Sequence, residues 1–236
     1  NYQIDISQAF KNSNNVKIKI SDKNGNASPI VLTFLKRNTQ KDDAVQAGKE
    51  GRWIDFSGEE NWAPWGSNEK AEIKAKFRSF WTKDTLTVEV DVEDAVFSQK
   101  YPASSSWQGD SVQIALQPLN DGEAFNRKFV EICAAMTEDG PAIFCHNELV
   151  KNKNKKPIGL LSKSTLEFSV SKGKMKYIIT LNLRELGLPE LKEGSRFGFS
   201  LLVNNNDGKG RKGYLHWGDG IAKSKNPAEF NELNMK

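Results

Sequence analysis

"AEIKAKFRSFWTKDTLTVEVDVE", residues 71–93, alternates apolar and polar side chains through two runs joined by a polar turn. In the first run Ile73, Ala75, Phe77, Ser79 and Trp81 share one face, and Lys74, Lys76 and Arg78 share the other. "TKDT" (82–85) turns the chain into "LTVEVDVE" (86–93), where Leu86, Val88, Val90 and Val92 oppose glutamates and aspartates. A period of two belongs to strands with one buried face, and two such runs across a short polar turn predict an antiparallel hairpin.

The same alternation recurs along the chain. It is found in "VKIKI" (16–20), "IVLTFL" (30–35), "TLEFSV" (165–170), "KYIITL" (176–181), "RFGFSLLV" (196–203), "GYLHW" (213–217) and "EFNELNM" (229–235). Within "SSSWQGDSVQIALQP" (104–118), Val112, Ile114 and Leu116 are assigned to the core, with Ser111, Gln113, Ala115 and Gln117 facing outward. Many short alternating strands between Gly/Asn/Asp turns predict an all-β fold, a sandwich or jelly roll. One or two short helical turns are expected in "LNLRELGLP" (181–189), capped by Asn182 and ended by Gly187 and Pro189. The weakest boundary is "KRNTQKDDAVQAGKEG" (36–51), polar and without strand character. Residues 1–51 accordingly read as an N-terminal β extension or the remnant of a neighbouring domain, and 52–236 as the sandwich.

With 37% hydrophobic and 27% charged residues, a sizeable core is affordable. Basic residues outnumber acidic by only 34 to 30, a net charge of +4 dispersed along the chain, which argues against a nucleic-acid partner. The longest basic cluster, "KNKNKKP" (151–157), reads as a solvated loop. No apolar run approaches the roughly 20 residues needed to span a membrane. The chain starts at Asn1 with no apolar leader, as a mature form or an excised piece would.

Cys133 and Cys145 flank "TEDGP" (137–141), between the strand-like "RKFVEICAAM" (127–136) and "AIFCHNEL" (142–149). A hairpin centred on Asp139 sets the two cysteines directly opposite, near disulfide range; a slip of one residue leaves two separate thiols. A zinc site from Cys133, Cys145 and His146 lacks a fourth ligand.

Catalytic constellations are scarce. The two histidines, His146 and His216, sit in strand-like runs with no nucleophile elbow, phosphate loop or metal-ligand spacing around them, so the chain is not read as an enzyme. Two features invite a binding role instead. Trp107 stands among serines ahead of "GDSV", outside the buried alternation, where a large ring must be explained. "VNNNDGKGRKGYLHWGDG" (203–220) offers side-chain oxygens, Asn204 and Asn206 among them, for hydroxyls or calcium; alternatively it is an ordinary hairpin loop. Trp81 and Trp217 belong to strands and to the core. Trp65, in "NWAPWGSN", offers a second aromatic platform, and Tyr101 lies six residues from Trp107.

Taken in order, "AEIKAKFRSFWTKDTLTVEVDVEDAVF", "WQGDSVQIALQP", "LNLRELGL", "RFGFSLLVNNNDGKGRKGYLHWGD" and "NPAEFNELNM" resemble the family 9 carbohydrate-binding modules, with "WIDFSGEENWAPW" similar to the family's entry segment, where Trp62 is a core residue. The resemblance covers about 52–236 and implies a jelly-roll-type antiparallel β-sandwich. It also implies non-catalytic carbohydrate binding, by an accessory module of a secreted, extracellular or periplasmic, polysaccharide-active protein. The partners are then an oligo- or polysaccharide and the other domains of the parent protein. A sugar held between two tryptophans stacks its apolar face on the rings while polar groups take the hydroxyls. Trp107 matches the first ring of the family. Ser224 stands where the second is expected, Gln113 replaces a glutamate, Val130 falls near an arginine's place, and Leu202 replaces a glutamine. The ligand-binding set expected here is Trp107, Gln113, Tyr101, Trp65, Asn204 and Asn206. Structural calcium, which the family often carries, is assigned to Asp94, Asp110 and Asp207. A sandwich that kept the fold and lost the sugar is the alternative, and a haem-binding relative using Met136, Met175 and His146 is a remoter one.

Overall fold

The computed structural model describes residues 15–21, 27–33, 42–47, 51–66, 70–119, 128–147 and 159–236, the first three stretches as backbone pairing only. The chain divides between Arg37 and Asn38 into two units. The first holds β1 (Asn15–Ser21) and β2 (Ala27–Thr33), paired antiparallel with Ile18 opposite Ile30.

The second unit is built from β3 (Asp42–Ala47), β4 (Ile54–Asp55), β5 (Trp62–Pro64), β6 (Lys74–Trp81), β7 (Thr85–Glu93), β8 (Ser111–Leu119), β9 (Val130–Thr137) and β10 (Gly140–Asn147). It continues with β11 (Thr165–Ser171), β12 (Lys174–Asn182), β13 (Arg196–Asn206), β14 (Arg211–Trp217) and β15 (Asn231–Met235). One sheet runs β10-β9-β8-β13, with β15 and β14 both on β13 and β5 beyond β14; the other runs β6-β7-β12-β11. All these pairings are antiparallel, and β3 departs from the rule. Its residues 42–45 pair parallel to β15 and its residues 46–47 parallel to β6, so it passes from one sheet to the other.

β3 corrects the sequence expectation, because "DDAVQA" carries no strand pattern. Backbone partners in both sheets make it a strand, a tertiary effect that side-chain propensity does not show. The division at Arg37/Asn38 also places it with the sandwich rather than with residues 1–51.

The alternation in 71–93 does what it predicts. Phe77, Val88, Val90 and Val92 enter the core between the sheets and meet Ile114, Leu116, Ile132, Phe199 and Leu201 from the other side. An aromatic cluster ties the sheets together: Phe77 stacks on Phe199 at 5.8 Å and meets Trp217 edge-on at 5.1 Å. Trp81 and Trp217 are buried in this core, and Trp62 packs against it, partly buried.

Three local expectations change. Among the described residues the helical turns lie at Glu59–Asn61, Ala103–Gln108 and Pro227–Glu229. The stretch 181–189 makes no helix: β12 runs through Asn182, whose Oδ1 accepts Glu185 N–H at 2.9 Å over a single turn that ends at Gly187, φ 68°. In the cysteine hairpin Phe144 lies opposite Cys133 and Cys145 opposite Ile132. That one-residue shift turns Cys145 into the core and Cys133 to the outer face, and both remain buried thiols.

The third change concerns the outer face of β8. Gln113, Ala115 and Gln117 point away from the core, yet they are 5%, 0% and 2% exposed. The segment 218–230 covers this face: Ile221 and Phe230 cluster with Phe129, Leu202 and Tyr214, and Phe129 meets Phe230 edge-on at 5.4 Å. Gly220 (φ 94°) is required there, since a Cβ would meet Asn226 O at 2.3 Å.

Candidate functional site

Trp107 is carried on the turn Ala103–Gln108, not on an irregular loop. Ser106 Oγ donates to Ala103 O at 2.9 Å and hydrogen-bonds the Cys133 thiol, 3.1 Å away, which fastens the turn to β9. Gln99 Nε2 donates to Ser106 O and Asp110 O. Asp110 accepts Ser98 N–H on Oδ2 at 2.5 Å and Asn206 N–H on Oδ1 at 2.8 Å. A half-buried indole is thereby held on backbone that cannot swing, as a recognition surface requires.

Beside it lies a cleft of about 580 Å³ lined by Trp65 and Trp107, Gln113, Glu131 and His146, and Arg211 and Lys225, with Phe129, Asn147 and Ala222 completing the wall. That size and its mixed aromatic and polar lining are typical of ligand sites. Its floor is the outer face of β8, β9, β13 and β14, where one hydrogen-bond chain crosses the strands. Arg211 Nη2 donates to Asn204 Oδ1 at 2.5 Å, and Asn204 Nδ2 donates to Gln113 Oε1 at 3.1 Å. Gln113 Nε2 donates to Glu131 Oε1 at 3.1 Å, and Lys225 Nζ reaches both Glu131 oxygens at 2.6 Å. Such a chain orients every member. Lys225 adopts φ 48°, a backbone that side-chain-bearing residues rarely take, at the rim of the cleft.

The Arg211 guanidinium lies 4.4 Å from the Trp65 ring centroid, 5.4 Å from Trp107 and 5.2 Å from Tyr214. Burial pulls its pKa down to about 10. Burial also lowers that of His146, so its imidazole is neutral at pH 7, and Nε2 is buried without a hydrogen-bond partner among the described residues.

Of the expected ligand-binding residues, Trp65, Trp107 and Gln113 come together on this cleft. Asn204 lies beneath it, buried in β13 and bonded to Gln113 and Arg211. Asn206 belongs to the strand rather than to a loop; its Oδ1 accepts Gly208 N–H and its Nδ2 donates to Gln108 O, which makes it a hairpin brace. Tyr101 does not line the cleft. Ser224 is exposed and donates to Glu229 Oε2 at 2.7 Å.

Burial first, and then nearby charge, raises the proton affinity of Asp94, through Asp207, and of Asp110, through Asp94 and Asp207, and each of the three aspartates already has a bonded oxygen. Asp94 Oδ1 accepts Val96 N–H at 3.0 Å, and Asp110 spends both oxygens on backbone amides. Asp207 pairs with the Lys212 ammonium, which also donates to Glu72 Oε2 at 2.9 Å. Among the described residues no three acidic, histidine or cysteine side chains converge as metal ligands. Calcium wants six to eight oxygens, and here Asp207 is paired instead with the Lys212 ammonium. The haem alternative fares similarly: Met175 is in the core, 3% exposed, away from the cleft that His146 lines.

Arg211, Glu131, Lys225 and Phe129 escaped the sequence reading, and His146 entered it only as a zinc or haem ligand. Arg211 sits in the basic "GKGRKG" beside the Asn/Asp run, a weak signal; nothing local marks Glu131, which looks like any strand glutamate.

A two-sheet β-sandwich with an aromatic-walled polar cleft on the outer face of one sheet is the architecture of a ligand-binding domain. Residues 49–236 match the model of the carbohydrate family 9 binding domain-like family, and the chain belongs to that family. Two solved structures share the fold. One is a family 9 carbohydrate-binding module from Caldicellulosiruptor kristjanssonii in complex with glucose, at TM-score 0.61 and 16% identity, covering 83% of this chain and 96% of that one. The other is a putative carbohydrate-binding protein from Bacteroides uniformis, at TM-score 0.58 and 12% identity, covering 83% and 99%. No curated protein sequence matches the chain. Among the described residues no helix is long and apolar enough to cross a membrane.

Proposed function

We propose that the domain binds a saccharide, without catalysis, in the cleft between Trp65 and Trp107. The observation that carries this reading is the pairing of two tryptophans at one cleft with a floor of mutually oriented polar side chains. Rings take the apolar face of a pyranose and the polar floor takes hydroxyls. The relatives solved with glucose and with cellotriose support the same ligand class. Trp65 serves here as the second platform, on a different segment from the family's expected position at Ser224. The wider reading is an accessory module, extracellular or periplasmic, of a larger polysaccharide-active protein.

The test is a titration of the domain against a panel of mono- and oligosaccharides, read by tryptophan fluorescence. Trp107→Ala is expected to weaken the best ligand about tenfold, or roughly 1.4 kcal/mol, with an unchanged melting temperature. Equal affinity in that variant excludes Trp107 from the site. One observation favours the second reading, a structural or interaction sandwich: Arg211 already lies against both tryptophans. Silence across the panel from folded protein would select it.

A further inference from the structure

Arg211 is a half-buried cation without an anion. Its bond within the protein is to the amide oxygen of Asn204, and among the described residues no carboxylate pairs with it. Its Nε is buried with no hydrogen-bond partner among the described residues. Tyr214 and Cys133, whose ionised forms would favour its charge, are neutral at pH 7, and burial raises their pKa values further. The acid within the cleft, Glu131, is occupied by Lys225 and Gln113. Among the described residues the lining therefore holds two cations, Arg211 and Lys225, against one carboxylate, with His146 uncharged.

A buried charge left unpaired is costly, and folding gains nothing from placing one at a cleft. A guanidinium presents a planar fork of donors that matches a carboxylate, and here it is braced by three rings and an asparagine rather than neutralised. We propose that the cleft selects an acidic saccharide, a uronic acid residue whose ring stacks on a tryptophan and whose carboxylate pairs with Arg211. This rests on the saccharide-binding reading above and adds the chemical class of the sugar. The excess charge also draws an anionic sugar toward the cleft at low ionic strength.

The experiment compares uronates with their neutral parents on the intact domain: galacturonic acid against galactose and glucuronic acid against glucose, at low and high salt, with glucose 6-sulfate as a second anion. A charge-assisted contact of this kind is expected to favour the uronate at least tenfold over its parent. High salt should shrink that ratio. It should fall to near one in Arg211→Gln and be partly kept in Arg211→Lys, which retains the charge and guards against a folding artefact. The wild-type ratio decides even if Arg211→Gln melts early. Neutral sugars bound as tightly as uronates would overturn the inference and leave saccharide binding standing. Tighter binding of the sulfate than of either uronate would overturn the carboxylate assignment. No binding of any sugar would overturn both.

Discussion

Two arginines in this domain stack on tryptophan, and their surroundings differ. On the outer face of the β6-β7-β12 sheet, Arg78 lies 4.7 Å from the Trp53 ring, and its Nε and Nη2 both reach Glu89 Oε2, at 2.9 and 2.7 Å. Lys176 adds a second cation to the same carboxylate at 3.4 Å. On the outer face of the other sheet, Arg211 has the rings and, among the described residues, lacks the carboxylate. The first face is a cross-strand ladder in which Arg78 opposes Glu89 and Lys76 opposes Asp91 in register; its charges close on themselves and hold strands together. The second face leaves its charge open under a roof of loops. The closed set of charges is scaffold, and the open one is where we propose that a ligand binds.

The largest effect expected from this contrast is on the scaffold side. Glu89 is 6% exposed, so Glu89→Ala removes the buried carboxylate that Arg78 and Lys176 share and should cost about 3 kcal/mol in a denaturant melt. A loss below about 1 kcal/mol would show that the pair is solvated and the contrast false.

A middle effect concerns the brace behind Trp107. Burial, opposed by the amides of Ser98 and Asn206, raises Asp110 to about 8. Between its unfolded value near 4 and that value, the folded state holds a proton that the unfolded state has released. The stability it contributes is full in acid and fades as pH rises toward 8. Asp110→Asn cannot titrate and sets an amide against backbone donors. It should therefore trail wild type by about 2 kcal/mol at pH 5, with the gap narrowing toward pH 8. A gap independent of pH would remove the titration of Asp110 from the account.

The smallest effect is expected at the open charge itself. Arg211→Met keeps the stem against the rings and removes an uncompensated cation, so stability should change by less than about 1 kcal/mol or rise. A loss comparable to that of Glu89→Ala would reassign Arg211 to the scaffold.

The strands, their buried faces, the core tryptophans and the family were legible because strand alternation is written residue by residue: Val88 and Val90 declare their face without reference to any other segment. Trp107 was legible as an exposed ring outside that pattern, and Trp65 as one in a Pro/Gly loop. Strand β3 and the register of the cysteine hairpin were not. β3 exists because β15 and β6 offer it partners, and a single residue in the 137–140 turn decides which side of the sheet Cys133 faces. The site lay further still from local pattern. Gln113, Glu131, Asn204, Arg211 and Lys225 come from four strands and a covering loop, and their chain of hydrogen bonds exists only once β8, β9, β13 and β14 lie side by side. The sequence by itself determined an all-β sandwich of a recognisable family with one indole outside the buried alternation, because burial patterns are local and periodic. Only the tertiary structure decided which charges are neutralised and which stand open, because a partner is a matter of distance in space.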